Sequence, residues 1–207
     1  METATRYPPI PEGAPFLFND QDKPFAGDTF MERDFLALRD RFGINLFVET
    51  GTCYGSTALW ASENFPYVYT FEKHEGTYNV ARSRIPEYGI IDLKLKDSVD
   101  GLRGLIPLLK PDVKILFFLD AHFDKHCPLI DELKAIADSG IKSVIAVHDM
   151  FVPGRPDLGY DTWNGKRFTF EWLKPHLERI YAGGPWGHHF NNEATGAKRG
   201  CLYCYPL

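Results

Sequence analysis

Two stretches of this chain, KILFFLDAH (114–122) and KSVIAVHD (142–149), are apolar along almost their whole length and end on histidine and acid. Strand-length runs without polar alternation need cover on both faces, which a parallel sheet between helical layers provides. Shorter strand-like runs lie at NLFVET (45–50), YVYTFE (67–72) and DLKLKDS (92–98). Between the runs come helix-like segments: STALWASEN, GTYNVARSRIPEYG, DGLRGLIPLL and PLIDELKAIADSG. The last has proline in its first turn and glycine at its end, the arrangement helices favour. This rhythm predicts an α/β fold, Rossmann-like and doubly wound, with a mostly parallel seven-stranded sheet.

The flanks complete the outline. DTFMERDFLALRDRFG (28–43) predicts a helix capped by Asp28 and stopped by Gly43. Residues 1–28 are rich in Pro and Gly, with Phe16, Phe18 and Phe25 among them. They read as an N-terminal arm lying on one domain, 29–207. After residue 149 the chain turns aromatic and glycine-rich. TFEWLKPHLERIY (169–181) resumes a helix that Pro175 should kink or shorten. GGPWGHHFNNEATGAKRGCLYCYP (183–206) predicts a C-terminal antiparallel hairpin at the sheet edge.

Bulk properties exclude some partners. A net charge of −5 leaves no basic footprint for nucleic acid. No apolar run approaches the ~20 residues that span a bilayer, and METATRYPPIPEG has neither the charged nor the apolar region of a signal peptide. Cys201 and Cys204 form a C-x-x-C inside a strand-like segment, with no second ligand pair at zinc spacing. Together with Cys53 and Cys127 they read as reduced thiols, which points to the cytoplasm.

The stretch LFVETGTCYGSTALW (46–60) carries the chemistry. A phosphate-binding P-loop needs a lysine after its last glycine, and Ser56 follows Gly55 instead. A dinucleotide fingerprint needs G-x-G-x-x-G, and Cys53 stands where the middle glycine belongs. What is present is acid-x-G-x-x-x-G: Glu49, Gly51 and Gly55. Glycines here let backbone approach a ligand that side chains would block. In open α/β sheets, ligands sit beyond the carboxyl ends of the strands. The other strands end in Glu72, in Asp97-Ser98, in Asp120-Ala-His122 and in His148-Asp149. Any one acid suits a helix N-cap; acids at all these ends describe a cleft.

Over roughly residues 46–150 this pattern resembles the class I S-adenosylmethionine-dependent methyltransferases. The resemblance implies S-adenosylmethionine as cofactor, held by Glu49, Gly51, Gly55, Ser56, Glu72, Asp97 and Ser98. Glu49 would face the cationic end, Glu72 the ribose hydroxyls, and Asp97-Ser98 the adenine amino group. It implies methyl transfer to a hydroxyl of a small molecule, a sugar or secondary metabolite. Asp120 and Asp149 further resemble the metal site of catechol-type O-methyltransferases, which implies Mg²⁺ or another divalent metal at these two residues. Met150 stands where that group carries its next ligand. His122 or His148 would substitute, and nitrogen ligands favour Mn²⁺, Fe²⁺ or Zn²⁺.

A metal-free reading makes His122 the general base, with Asp120 orienting the nucleophile. A strand sends adjacent His148 and Asp149 to opposite faces, so Asp149 alone is expected in the cleft. His126 reads as a surface residue. Phe151, Tyr160, Trp163 and Phe168, set among glycines, read either as a lid at the substrate mouth or as a loop packing its own rings. Two other functions compete: a metal-dependent hydrolase or oxygenase using Asp120, His122 and Asp149, and a non-catalytic nucleoside-binding module on the same fold. The arm leaves room for a homo-oligomer.

Overall fold

A computed structural model describes residues 7–15, 20, 22–87, 89–122 and 126–207. Five strands run parallel: β1 (Leu46–Thr50), β2 (Tyr67–Glu72), β3 (Ile91–Leu95), β4 (Ile115–Leu119) and β5 (Val144–His148). β8 (Trp186–Phe190) and β9 (Cys201–Pro206) complete the sheet, in the order β3-β2-β1-β4-β5-β9-β8. β9 runs antiparallel to β5, and β8 antiparallel to β9. The sheet is therefore the seven-stranded, doubly wound one that the sequence predicts. A separate hairpin, β6 (Thr162–Trp163) and β7 (Lys166–Arg167), stands on the segment after β5.

The helices are α1 (Thr29–Phe42), α2 (Ser56–Asn64), α3 (Glu75–Arg84), α4 (Ser98–Leu105), α5 (Leu129–Ser139) and α6 (Phe170–Ile180). Strand alternation divides the core between the two sheet faces. Leu46 and Val48 of β1 join Leu102, Leu133 and Leu177 under α4, α5 and α6. Phe47 joins Phe35, Trp60 and Ala81 under α1, α2 and α3. Every residue of β1, β4 and β5 is buried, as strands covered on both sides must be.

The capping chemistry matches the expectations. Asp28 accepts hydrogen bonds from Phe30 N and Met31 N, and Gly43 ends α1 in the left-handed region. The arm is more closely bound than its composition suggests. Phe25 is buried and packs on Phe35, Trp60 and Phe118; Phe16 and Phe18 lie outside the described residues. Pro175 does not stop α6, which continues to Ile180. It sits on the exposed face, so the carbonyl it leaves without a partner, that of Glu171, faces water. Among the described residues no helix is long and apolar enough to cross a membrane.

The turn after β1 is fixed by the chain itself. Gly51 has φ 84°, and a Cβ there would lie 2.4 Å from the Asp120 carbonyl oxygen. Gly55 has φ 80°, and its Cβ would meet only side-chain atoms, those of Ile85 at 3.2 Å and of Ala81 at 3.5 Å. Gly51→Ala is expected to cost at least about 2 kcal/mol, from left-handed strain plus a backbone clash. Gly55→Ala should cost less, because a side-chain end can shift. Urea unfolding of both variants checks the order.

Candidate active site

The carboxyl ends of β1, β2, β4 and β5, with the loop after β3, form one rim. Glu49 shares the sheet face of Phe47, so its side chain turns inward and is 1% exposed. The Thr70 hydroxyl donates to Glu49 Oε2 at 2.6 Å, and the Thr52 hydroxyl lies 2.5 Å from that of Thr70. Burial pushes the Glu49 carboxyl well above its ordinary range, and the Thr70 hydrogen bond only partly offsets this.

Glu72 ends β2 and braces the glycine turn. Its Oε2 accepts from Cys53 N at 2.9 Å and its Oε1 from His74 N at 2.8 Å. Cys53 has φ 50°, and the bond from its N–H to Glu72 helps hold that left-handed backbone. Asp97 caps α4 through Val99 N. Lys73 Nζ lies 3.0 Å and His126 Nε2 3.5 Å from Asp97 Oδ2. Burial would raise the Asp97 carboxyl, but Lys73 outweighs it and holds the group below its ordinary value. Ser98 is buried, and with Gly51, Glu72 and Ala121 it borders a cavity of about 40 Å³. Ser56 opens α2, and its hydroxyl accepts from Arg84 Nη1 at 3.0 Å.

The second half of the rim is a network around Asp149. His122 Nε2 lies 2.9 Å from Asp149 Oδ2, and His148 Nδ1 lies 3.1 Å from Asp120 Oδ1 and 3.4 Å from Asp149 Oδ2. Arg199 pairs with Asp149 Oδ1 and with Asp161 Oδ1. The expectation that His148 and Asp149 diverge is therefore corrected. Asp149 has φ 60°, which ends the strand's alternation and brings both side chains into one cluster. Burial would lower His148, but Asp120 and Asp149 hold it well above its ordinary value. For Asp149 burial acts upward, and the two histidines bring it well below. His122 is likewise raised, the Asp149 carboxylate overcoming burial.

His122 is enclosed. Its side chain is 3% exposed and its ring packs edge-on against Phe168, 4.8 Å between centres. Asp120 and Asp161 are the more accessible acids of the cluster. Phe168 is buried, so at least this aromatic of the long segment packs inward. Phe151 and Tyr160 pack edge to face with Arg167 over both rings.

Sequence reasoning missed Arg199, Asp161 and Glu132, and it set His148 aside. Glu132, on α5, is buried beside Thr50, Ser98 and His122, and burial raises its carboxyl to about 7. No short motif marks any of these residues. Glu132 had one available signal, an acid on the apolar face of PLIDELKAIADSG.

No family model matches the sequence, and no curated protein does. Solved structures do. An O-methyltransferase from Bacillus cereus in complex with SAH superposes with a TM-score of 0.60, at 20% identity, covering 89% of this chain and 84% of that one. The O-methyltransferase TomG from Streptomyces achromogenes, in complex with SAM and involved in tomaymycin synthesis, gives 0.57 at 17% identity, over 85% and 79%. A precorrin 8W decarboxylase from Methanobacterium thermoautotrophicum gives 0.55 at 12% identity, over 86% and 90%. The chain thus has the Rossmann-like fold of the class I methyltransferases.

Glu132 generates a pH prediction. Its folded carboxyl titrates near 7, against an ordinary value of 4.5, so the folded state binds the extra proton. Stability present at low pH is lost as pH rises from about 4.5 to 7. Glu132→Gln should stabilise the protein at pH 8 by up to about 3 kcal/mol and leave it little changed at pH 5. Thermal unfolding at the two pH values reads this directly.

Proposed function

We propose that this protein transfers the methyl group of S-adenosylmethionine to a hydroxyl of a small molecule. The observation that carries the reading is the single rim on which Gly51, Glu72, Ser98 and Asp120 come together, in a fold shared with O-methyltransferases that bind SAM or SAH. Glu72 retains lone pairs for ribose hydroxyls beside its two backbone bonds. Asp97 and Ser98 stand at the start of α4 for the adenine amino group. Gly51, Gly55 and Ser56 shape the turn for the methionine end. Glu49 lies behind that turn and acts on it through Thr70 and Thr52. We place the protein in the cytoplasm, in keeping with its four free cysteines.

The acceptor approaches from Asp120 and Asp161, the accessible side of the Asp149 network. Methyl transfer needs the acceptor oxygen in line with the sulfonium carbon and stripped of its proton. Asp120 is the group placed to orient that hydroxyl. His122, bonded to Asp149 through Nε2, stands behind it at 4.0 Å from Asp120 Oδ1. The donors also suit a divalent ion. Asp120 Oδ1, His148 Nδ1 and Asp149 Oδ2 are separated by 3.1 and 3.4 Å along the chain of contacts. Neighbouring ligands of a first-row ion stand about 3.0–3.4 Å apart, given bonds near 2.1 Å. Bound there, the ion would lower the pKa of the acceptor hydroxyl. One nitrogen among the donors favours Mn²⁺, Fe²⁺ or Zn²⁺ over Mg²⁺.

Titration calorimetry with S-adenosylmethionine and S-adenosylhomocysteine tests the reading. Binding in the micromolar range is expected for both; binding of neither removes it. Asp120→Asn should leave cofactor affinity within about twofold and lower turnover of any accepted hydroxyl compound by at least about 100-fold, in line with loss of an orienting or general-base group. Release of S-adenosylhomocysteine is the measurement.

A further inference from the structure

A buried guanidinium ties the N-terminal arm to the glycine turn. Arg84 ends α3 and is 3% exposed. Its Nε donates to the Pro8 carbonyl oxygen of the arm at 2.6 Å. Its Nη1 donates to the Tyr54 carbonyl oxygen and, at 3.0 Å, to the Ser56 hydroxyl. A guanidinium presents its donors in one rigid plane, so fixing one side of it fixes the other. Burial lowers the Arg84 pKa, and Asp22, also of the arm, acts against that. Nη2 is buried without a partner among the described residues. A cation kept there is a poor choice for stability alone.

The turn needs such a tie. Cys53 has φ 50° and Gly55 φ 80°, left-handed residues on either side of Tyr54. Backbone of this kind persists only where its surroundings over-determine it. Glu72 holds Cys53 from the rim; Arg84 holds Tyr54 and Ser56 from α3. The arm also grips the helix that follows. Phe25 N donates to Thr57 Oγ1 at 3.0 Å, and the Tyr7 hydroxyl to Glu63 Oε2 at 3.2 Å. No described residue of the arm borders the small cavity at Gly51 and Glu72.

Resting on the methyltransferase reading, we propose that Arg84 is a positioning residue that couples the seating of the N-terminal arm to cofactor binding at the Tyr54–Ser56 turn. Its acceptors are protein atoms, so it acts through the turn and not on the cofactor itself. With the arm seated, the Pro8 carbonyl orients the fork, and the fork keeps the turn in the shape that receives the methionine end. By linkage, a cofactor that selects this shape also holds the arm down. The arm is then a regulatory handle: whatever lifts residues 7–15 weakens the cofactor site without entering it.

S-adenosylhomocysteine is titrated calorimetrically into the full-length wild type and Arg84→Ala, at a temperature where circular dichroism shows both folded. Amide exchange of residues 7–15 is followed by mass spectrometry with and without it. The wild type should bind, and binding should slow exchange in the arm at least about twofold. R84A should bind about tenfold more weakly, a usual size for coupling between two sites, and the slowing should vanish. Equal affinity in folded R84A overturns the proposal, because Arg84 would then serve stability alone. So does an arm whose exchange ignores the ligand in the wild type, or one still slowed in R84A at saturating ligand. Should R84A fail to fold, Arg84→Lys takes its place, keeping the charge and losing the fork. R84K should bind at least about threefold more weakly and leave the arm unslowed; wild-type behaviour there overturns the proposal. Absence of binding to the wild type is a separate result, which removes the methyltransferase reading along with this one.

Discussion

One buried carboxylate organises the rim. Asp149 leaves β5 in the left-handed region and is bonded by His122, His148 and Arg199 at once. An ion withdrawn from water costs several kcal/mol unless its lone pairs are answered. Here Oδ1 is answered by the guanidinium and Oδ2 by the two imidazoles. The answering groups come from the ends of β4 and β5 and from the approach to β9, and Arg199 also draws in Asp161 from the base of the hairpin. Asp149 and Arg199 together tie these four segments to one another. Gly159 makes room for Arg199: a Cβ there would lie 2.8 Å from its Nη1.

Much of the fold was legible because its signals are local. Apolar runs named β4 and β5, Asp28 and Gly43 bounded α1, and strand ends announced the rim. What escaped depends on distance or on a single torsion. His148 and Asp149 were separated on paper by strand alternation, and one positive φ reunites them. Arg199 meets Asp149 across fifty positions, and nothing near either residue signals the pairing. Pro175 misled in the other direction, since an exposed helix face lets water take the orphaned carbonyl.

The glycine turn separates structural need from functional need. Gly51 reads in the sequence as room for a ligand. In the structure the Asp120 carbonyl and Ala121 already fill the space a side chain would take. The glycine is demanded by the fold whether or not a cofactor arrives. Fold likeness has the same limit, since methyltransferases and a precorrin decarboxylase both superpose on this chain. The chemistry therefore has to be argued from the rim side chains, and above all from the Asp120 and Asp149 cluster.

The insertion of β9 between β5 and β8 has a consequence for biosynthesis. The strand that closes the sheet beside β5 is translated more than fifty positions after it, a lag of roughly 3–10 s at ribosomal speed. During that interval β5 presents an open edge, the kind nascent chains misuse for sticking to one another. Arg199 arrives only two residues ahead of the closing strand. Protection of the β5 edge and neutralisation of Asp149 are thus completed together, by one segment made well after the strand it covers.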